Sequence, residues 1–251
     1  MPDHPNPLEQ PPGESAEQLL AILAHELRRP LTALLGALAT LQQRRLALSP
    51  LQRQELLGMA HRQGEQLQRL LDQLLAAASL DQGHGRLARR SLVDAAALAQ
   101  EAGHAAQLAH PNHPIAIEAA GPLLVRADPL AISRILGNLL DNAATYSPQG
   151  AVIRLSASRD GLHALLAVQD QGPGIPLSDG ERIFQRYARL GTPTAGPGGS
   201  GLGLGLYIAR RLAHADRGEL QVTNLPGRQG ARFELRLPLA PPAPGGRPTR
   251  A

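Results

Sequence analysis

From Leu20 to Leu41 the apolar residues Leu20, Ala24, Leu27, Leu31, Leu34, Leu38 and Leu41 follow one another at alternating steps of four and three. This is an unbroken heptad seam, and it commits the start of the chain to a long helix, expected over 15–46, that must lie against another. "LALSP" then makes a turn, with Ser49 as N-cap and Pro50 at the first helical position. A second helix follows to about Leu80, its seam at Leu56, Ala60, Gln63, Leu67, Leu70 and Leu74. Two such helices on a short loop form an antiparallel hairpin whose apolar stripe one partner helix cannot cover. A dimer, with a four-helix bundle, is the expected solution.

After "DQGHG" (81–85) the pattern changes. A helix is expected near 92–109, followed by short alternating runs at Ile115 and Ile117, at Leu124 and Val125, at 151–157 and at 164–170. "ELQVTN" and "ARFELRL" flank the turn "LPGRQG" as a hairpin, and helices at 129–146 and 203–214 lie between the strands. Without a strict βαβ rhythm, this interleaving predicts a mixed sheet with helices on one face. The expected organisation is a Pro-rich disordered tail (1–14), the hairpin (15–82), an α/β domain (86–239) and a second disordered tail (240–251).

Composition removes other classes. The 251 residues include no cysteine, so disulfides and thiolate metal sites are excluded. The net charge of +4 rests entirely on scattered arginines, and aromatic residues make up only 2%, which argues against nucleic acid as a partner. No apolar run reaches the roughly 18 residues of a membrane span, and "MPDHPNPLEQPPGES" lacks the regions of a signal peptide. A soluble, cytoplasmic protein without membrane insertion is expected. Nothing at either end resembles a sensor domain, so either input from a separate sensory partner is expected or a sensor has been lost from a larger ancestor.

Within the first helix, "AHELRRPLTALLG" (24–36) sets His25 beside the seam, facing water. A lone histidine there is most simply a solvated surface residue. Glu26, however, offers a carboxylate to fix the tautomer and leave the other ring nitrogen nucleophilic. Pro30 cannot complete the helical hydrogen bonding and loosens the turn. A separate helix starting at Pro30 is the alternative, and the seam running through it argues for one helix. "HELRRPLT" resembles the phosphoacceptor box of bacterial sensor histidine kinases.

Farther along, "ILGNLLDNAATYSPQG" (135–150) sets Asn138 and Asn142 on one helical face. Such a pair is either solvated or able to hold a hydrated Mg²⁺ and phosphate oxygens. The stretch is similar to the same family's N-box, where the position of Asn142 ligates the metal; Tyr146 falls in the nucleotide site on the same resemblance. "VQDQGPGIP" (168–176) ends a strand in Asp170, followed by Gly172, Gly174 and Ile175. A strand-end carboxylate there can accept from an exocyclic amine while the glycines admit a base, although an ordinary Gly-Pro turn has the same residues. It resembles the family's first glycine box, in which the position of Asp170 reads the adenine amino group.

"ERIFQRYARL" (181–190) resembles the F-box, with Phe184 as an apolar anchor that core packing explains equally well. Arg186 and Arg189 are free to meet phosphate. "GPGGSGLGLGLYIARRLA" (196–213) passes through Gly199, Gly201, Leu202, Gly203, Leu204 and Gly205 into a helix N-terminus, a nest of N–H groups suited to a triphosphate. It is neither a Walker A nor a Rossmann motif, and it looks like the second glycine box and ATP lid of this family. Five boxes in family order, from His25 to Leu206, identify the chain as a resemblance to a histidine-kinase core. The implied fold is the hairpin followed by a GHKL or Bergerat α/β sandwich.

The resemblance implies ATP and Mg²⁺ as cofactors, a homodimer, phosphorylation of His25 with Glu26 as orienter and base, and transfer to an Asp on a separate response-regulator receiver domain. Two residues depart from the family pattern. Thr145 stands where a lysine is usual near the phosphates. Arg29 stands four residues after the histidine, where Thr or Asn is usual and is associated with dephosphorylating the partner. Arginine has no acceptor to orient a water, so weak phosphatase activity is expected. Thr145 keeps a second reading open, that of a dimeric ATP-binding scaffold acting by conformation.

Overall fold

The protein is described by a computed structural model that covers residues 16–43, 47–81, 90–119, 121–188, 202–225 and 230–241. The expected tails, apart from Ala240 and Pro241, and the change of pattern at 82–86 lie outside the described residues. The chain divides into two compact units, 1–72 and 73–251.

Helix α1 spans Ala16–Gln43 and runs through Pro30 without a break. Continuity of the apolar seam thus prevails over the one hydrogen bond that proline removes. Helix α2 spans Pro50–Asp81. Its start is a reciprocal capping box: the Gln52 N–H donates to Ser49 Oγ at 3.2 Å, and the Ser49 N–H donates to Gln52 Oε1 at 3.0 Å.

The seam predicted on α2 matches the buried line, with Ala60 and Leu70 buried and Leu56, Gln63 and Leu67 half-buried. On α1 the buried line is rotated. It runs through Glu26, Pro30 and Ala37, whereas Ala24, Leu31 and Leu38 of the predicted seam are exposed. The small Ala37 and the ring of Pro30 occupy the covered side, Leu27, Leu34 and Leu41 are half-buried, and Leu31, Leu35 and Leu38 are left exposed.

Beyond α2, the second unit has strand β1 (Ser91–Asp94) where sequence periodicity predicts the start of a helix. Asp94 explains the switch: its side chain accepts from the Ala96 N–H, capping helix α3 (Ala95–Ala109), and from the Leu123 N–H at 2.9 Å. Strand β1 pairs antiparallel with β3 (Leu124–Ala127). The larger sheet has the order β2-β4-β5-β7-β6, from β2 (Ile115–Ala119), β4 (Ile153–Asp160), β5 (His163–Gln169), β6 (Glu219–Asn224) and β7 (Ala231–Pro238). Strands β2 and β4 are parallel and the other pairs antiparallel, so the sheet is mixed, as predicted.

Helix α4 (Pro129–Tyr146) buries Ile132, Ile135, Leu136, Leu139, Leu140 and Ala143, at the i, i+3, i+4, i+7 spacing of one helix face. With α3 and α5 (Gly205–Ala215) it closes a continuous core against Leu155, Leu166, Val168, Phe233 and Leu235 of the sheet. Gly103 lets α3 approach that sheet. A β-carbon there would lie 2.6 Å from Ile117 Cδ1 and 3.1 Å from Leu155 Cδ2.

Candidate nucleotide site

The second unit takes its sequence-predicted residues from the exposed edge of α4, the end of β5, the stretch at 184–186 and the residues before α5, and the β6–β7 end adjoins them. Asp128 caps α4, accepting from the Leu130 N–H at 3.0 Å, with Pro129 in the first turn. The apolar face of α4 then fixes its rotation. Asn138 and Asn142 are left half-buried on one side, and Thr145 and Tyr146 exposed.

The two asparagines are not equivalent. Asn138 donates through Nδ2 to the Gly205 carbonyl at 3.1 Å, joining α4 to the first residue of α5. Its Oδ1 remains for a ligand. The Asn142 side chain makes no hydrogen bond among the described residues. Thr145 turns its hydroxyl to the Asp141 carbonyl at 2.8 Å, back onto its own helix.

Asp170, at the end of β5, is buried to 6% exposure. Its Oδ1 accepts from the Gly172 N–H at 2.8 Å and from the Ala231 N–H at 3.0 Å. Two backbone donors on one oxygen fix the carboxylate plane and leave Oδ2 as the acceptor for an incoming donor. Gly172 sits where a side chain would come within 3.0 Å of the Tyr146 carbonyl, and Gly174 adopts φ +72°. Gly172 thus lets the loop approach the end of α4, and Gly174 takes a backbone angle that L side chains rarely adopt. Ser147, just past α4, accepts from the Gln171 N–H at 3.3 Å and ties this loop to the helix end.

Two residues of this site were not foreseen. Gly230 has φ +116°, and a β-carbon on it would stand 2.1 Å from the Asp170 carbonyl oxygen. Asn224, the last residue of β6, receives the Ile175 N–H on Oδ1 at 2.7 Å and donates from Nδ2 to the Ile175 carbonyl at 2.5 Å. Gly230 closes the turn "LPGRQG" and Asn224 ends the run "ELQVTN" before it; the sequence identifies the hairpin but not what its end touches.

Phe184 is in the core, 6.5 Å edge-on to Phe233, with the Arg210 guanidinium 4.7 Å over its ring. Core packing, one of its two sequence readings, describes its position. Arg186 lies over the rings of Tyr187 and Tyr207, at 5.7 and 5.4 Å. Leu202 and Leu204 are buried. Gly203, at φ +64°, lies so close to the Tyr187 backbone that a β-carbon would come within 2.7 Å of it. Arg189, Gly199 and Gly201 lie outside the described residues. Gly205 opens α5, whose N-terminus has no side-chain cap.

In the first unit, His25 is exposed and Glu26 is buried to 3% exposure. Adjacent helical residues do not face one another. As the two stand, proton transfer between them calls for a side-chain rotation or an intervening water.

Behind the site, Asp216 ends α5. It accepts from the Asp128 N–H at 3.1 Å and from Arg90 Nε at 3.2 Å, and Arg90 also donates to the Ala215 carbonyl. Burial pushes the Asp216 carboxyl above its ordinary value, against the downward pull of the Asp128 and Arg90 hydrogen bonds and the Arg90 charge.

The donor set fits a magnesium ion only in part. No group of three His, Asp or Glu side chains is poised for a metal among the described residues. The amide oxygens of Asn142 and Asn138 suit an ion that keeps its waters and takes most of its charge compensation from phosphate.

Residues 127–241 match the family model of histidine kinase-, DNA gyrase B- and HSP90-like ATPases, and residues 15–83 match that of the His Kinase A phospho-acceptor domain. The chain is 34% identical over 234 residues to the adaptive-response sensory kinase SasA of Thermosynechococcus vestitus, covering 89% of this chain and 60% of SasA. Among solved structures, full-length ShkA in complex with AMPPNP shares 30% identity at a TM-score of 0.59, over 89% of this chain and 46% of ShkA. The Acinetobacter baumannii histidine kinase AdeS shares the fold at a TM-score of 0.62, with 23% identity over 86% of this chain and 98% of its own. The chain spans about half the length or less of several of the curated relatives it matches. Among the described residues no helix is long and apolar enough to cross a membrane.

Proposed function

We infer, for a chain that belongs to the sensor histidine kinases by both of its domains, that it autophosphorylates His25 from ATP and hands the phosphoryl group to an Asp of a separate response regulator. The observation that carries the nucleotide half of this reading is Asp170. A buried carboxylate with one oxygen held by two amides and the other free is an acceptor fixed in place for the adenine amino group.

Each residue then has a role in positioning and neutralising charge. Asp170 and the loop through Gly172, Gly174 and Ile175 seat the base, beside Tyr146. Asn142, with the remaining oxygen of Asn138, would hold Mg²⁺, which when bound draws charge from the phosphates. The N-terminus of α5 and Arg186 would offset the charge of the triphosphate, a role that the family resemblance extends to Arg189. Exposed on α1, His25 offers a ring nitrogen to the γ-phosphorus. The phosphorus–nitrogen bond forms as the bond to the ADP oxygen breaks, and the ring proton leaves to Glu26 directly or through water. Domain limits at 15–82 and 86–239 and homodimerisation through the hairpin complete the proposal.

Incubating the full chain with γ-labelled ATP and Mg²⁺ tests it. An acid-labile label, lost in His25→Ala and Asn142→Ala, is the expected result. A second reading rests on Thr145, whose hydroxyl is bound to its own helix where the family pattern has a cation. ADP binding that Asp170→Ala abolishes, without any label on His25, would identify a conformational scaffold instead. Arg29 is exposed and carries no acceptor, so a phosphorylated receiver is expected to keep its phosphate in the presence of this protein. Rapid loss dependent on the protein would overturn that assignment.

A further inference from the structure

We propose that Asn224 is a positioning residue for the base, acting through Ile175; the proposal rests on the nucleotide reading above. Asn224 ends β6 opposite Ala231 of β7. One side-chain amide there satisfies both backbone groups of Ile175, as a neighbouring strand would, at 2.7 and 2.5 Å. A carboxamide accepts on one atom and donates from the other; a carboxylate accepts only, and an alanine does neither.

The same strand end grips the other side of the loop. Asp170 donates its N–H to the Ala231 carbonyl at 2.9 Å, and the Ala231 N–H holds Asp170 Oδ1 at 3.0 Å. Residues 170 and 175 are therefore both fastened to the β6–β7 end. The stretch between them contains Gly172 and Gly174, which contribute no side chains to hold it. Ala231 sets the carboxylate and Asn224 sets the far end of the loop, so together they fix the gap into which a base must fit. Releasing the Asn224 clamp frees Gly174 and Ile175 to drift. The acceptor is left intact but the base is less well aligned on it.

The experiment compares ADP with inosine diphosphate, which carries a 6-oxo group in place of the amine, on the full chain and on Asn224→Ala and Asn224→Asp. Loss of two hydrogen bonds to one residue predicts ADP binding weaker by about tenfold in Asn224→Ala. The preference for ADP over inosine diphosphate is expected to shrink with it. Asn224→Asp, which keeps the acceptor and loses the donor, is expected to fall between. A purely structural residue would instead lower the unfolding temperature of Asn224→Ala and leave the ratio of the two affinities unchanged. That result, or wild-type affinity in both variants, overturns the proposal. If the unaltered chain binds neither nucleotide, the nucleotide reading falls and takes the Asn224 assignment with it, and wild-type binding distinguishes the two failures.

Discussion

The two units bury their apolar residues in opposite ways. In the α/β unit, three helices and a five-stranded sheet close on each other, and Ile132, Leu139, Leu155, Leu166 and Leu235 are wholly inaccessible. In the hairpin, α1 covers only Pro30, Ala37 and Glu26 fully, while Leu31, Leu35 and Leu38 are between 44% and 55% exposed. On α2, Leu57, Met59 and Leu71 are exposed as well. An exposed apolar stripe this long is a surface in want of a partner. The α/β unit closes its core within one chain; the hairpin leaves its stripe open, and under the proposed dimer a second copy would supply the covering helix pair.

The largest expected effect strikes the self-sufficient unit at its least tolerant point. Gly230→Ala forces a β-carbon onto the Asp170 carbonyl at a backbone angle that L side chains seldom adopt. Titration calorimetry is expected to show no ADP binding; undiminished affinity would mean that the β7 end does not position Asp170. Next comes the incomplete unit. Leu31→Glu with Leu38→Glu places charges on the exposed stripe, and sedimentation is expected to shift from dimer to monomer while ADP binding is unchanged. A wild-type chain that sediments as a monomer would break the comparison outright.

Smaller in effect is Gly103→Ala, where the added carbon meets side chains and no backbone among its nearest atoms: Ile117 Cδ1 and Cγ1 and Leu155 Cδ2. Overpacking of this kind costs about 1 to 3 kcal/mol, readable by urea unfolding. The smallest concerns Asp216. Its carboxyl titrates higher folded than unfolded, so the folded state holds the proton more tightly. The stability this contributes is full below the unfolded value near 3.8 and is lost as pH rises through the raised folded value. The stability of the wild type relative to Asp216→Asn is therefore expected to decline across that window. A difference that grows with pH would reverse the assignment.

The legibility of the sequence follows the same division. Elements with strong periodicity were predicted almost to the residue: α4 at 129–146 and the β6 and β7 runs coincide with their structural limits within one position. Strand β1 was not, because four residues cannot establish a period, and Asp94 acts on Leu123, far along the chain. On α1 the heptad identifies an apolar stripe but not which edge of it is covered, since that depends on what lies opposite. In the site, Asp170 and the glycines after it were legible because local chemistry requires them. Gly230 and Asn224 were not, since their reasons lie in contacts with residues about fifty or more positions earlier. Arg189, Gly199 and Gly201 fall outside the described residues.

Gly230 carries one more consequence. Every single-base change to a glycine codon that alters the amino acid brings in a β-carbon, and here any β-carbon meets the same oxygen at 2.1 Å. Charge, size and polarity of the newcomer cease to matter. In a library of point variants this position would behave as a binary letter, glycine or nothing. Neighbouring surface positions such as Gln221 and Glu219 would grade smoothly with side-chain chemistry. A recognition site can thus be guarded by a residue that offers a ligand no functional group at all, and whose importance is visible only as a uniform intolerance to change.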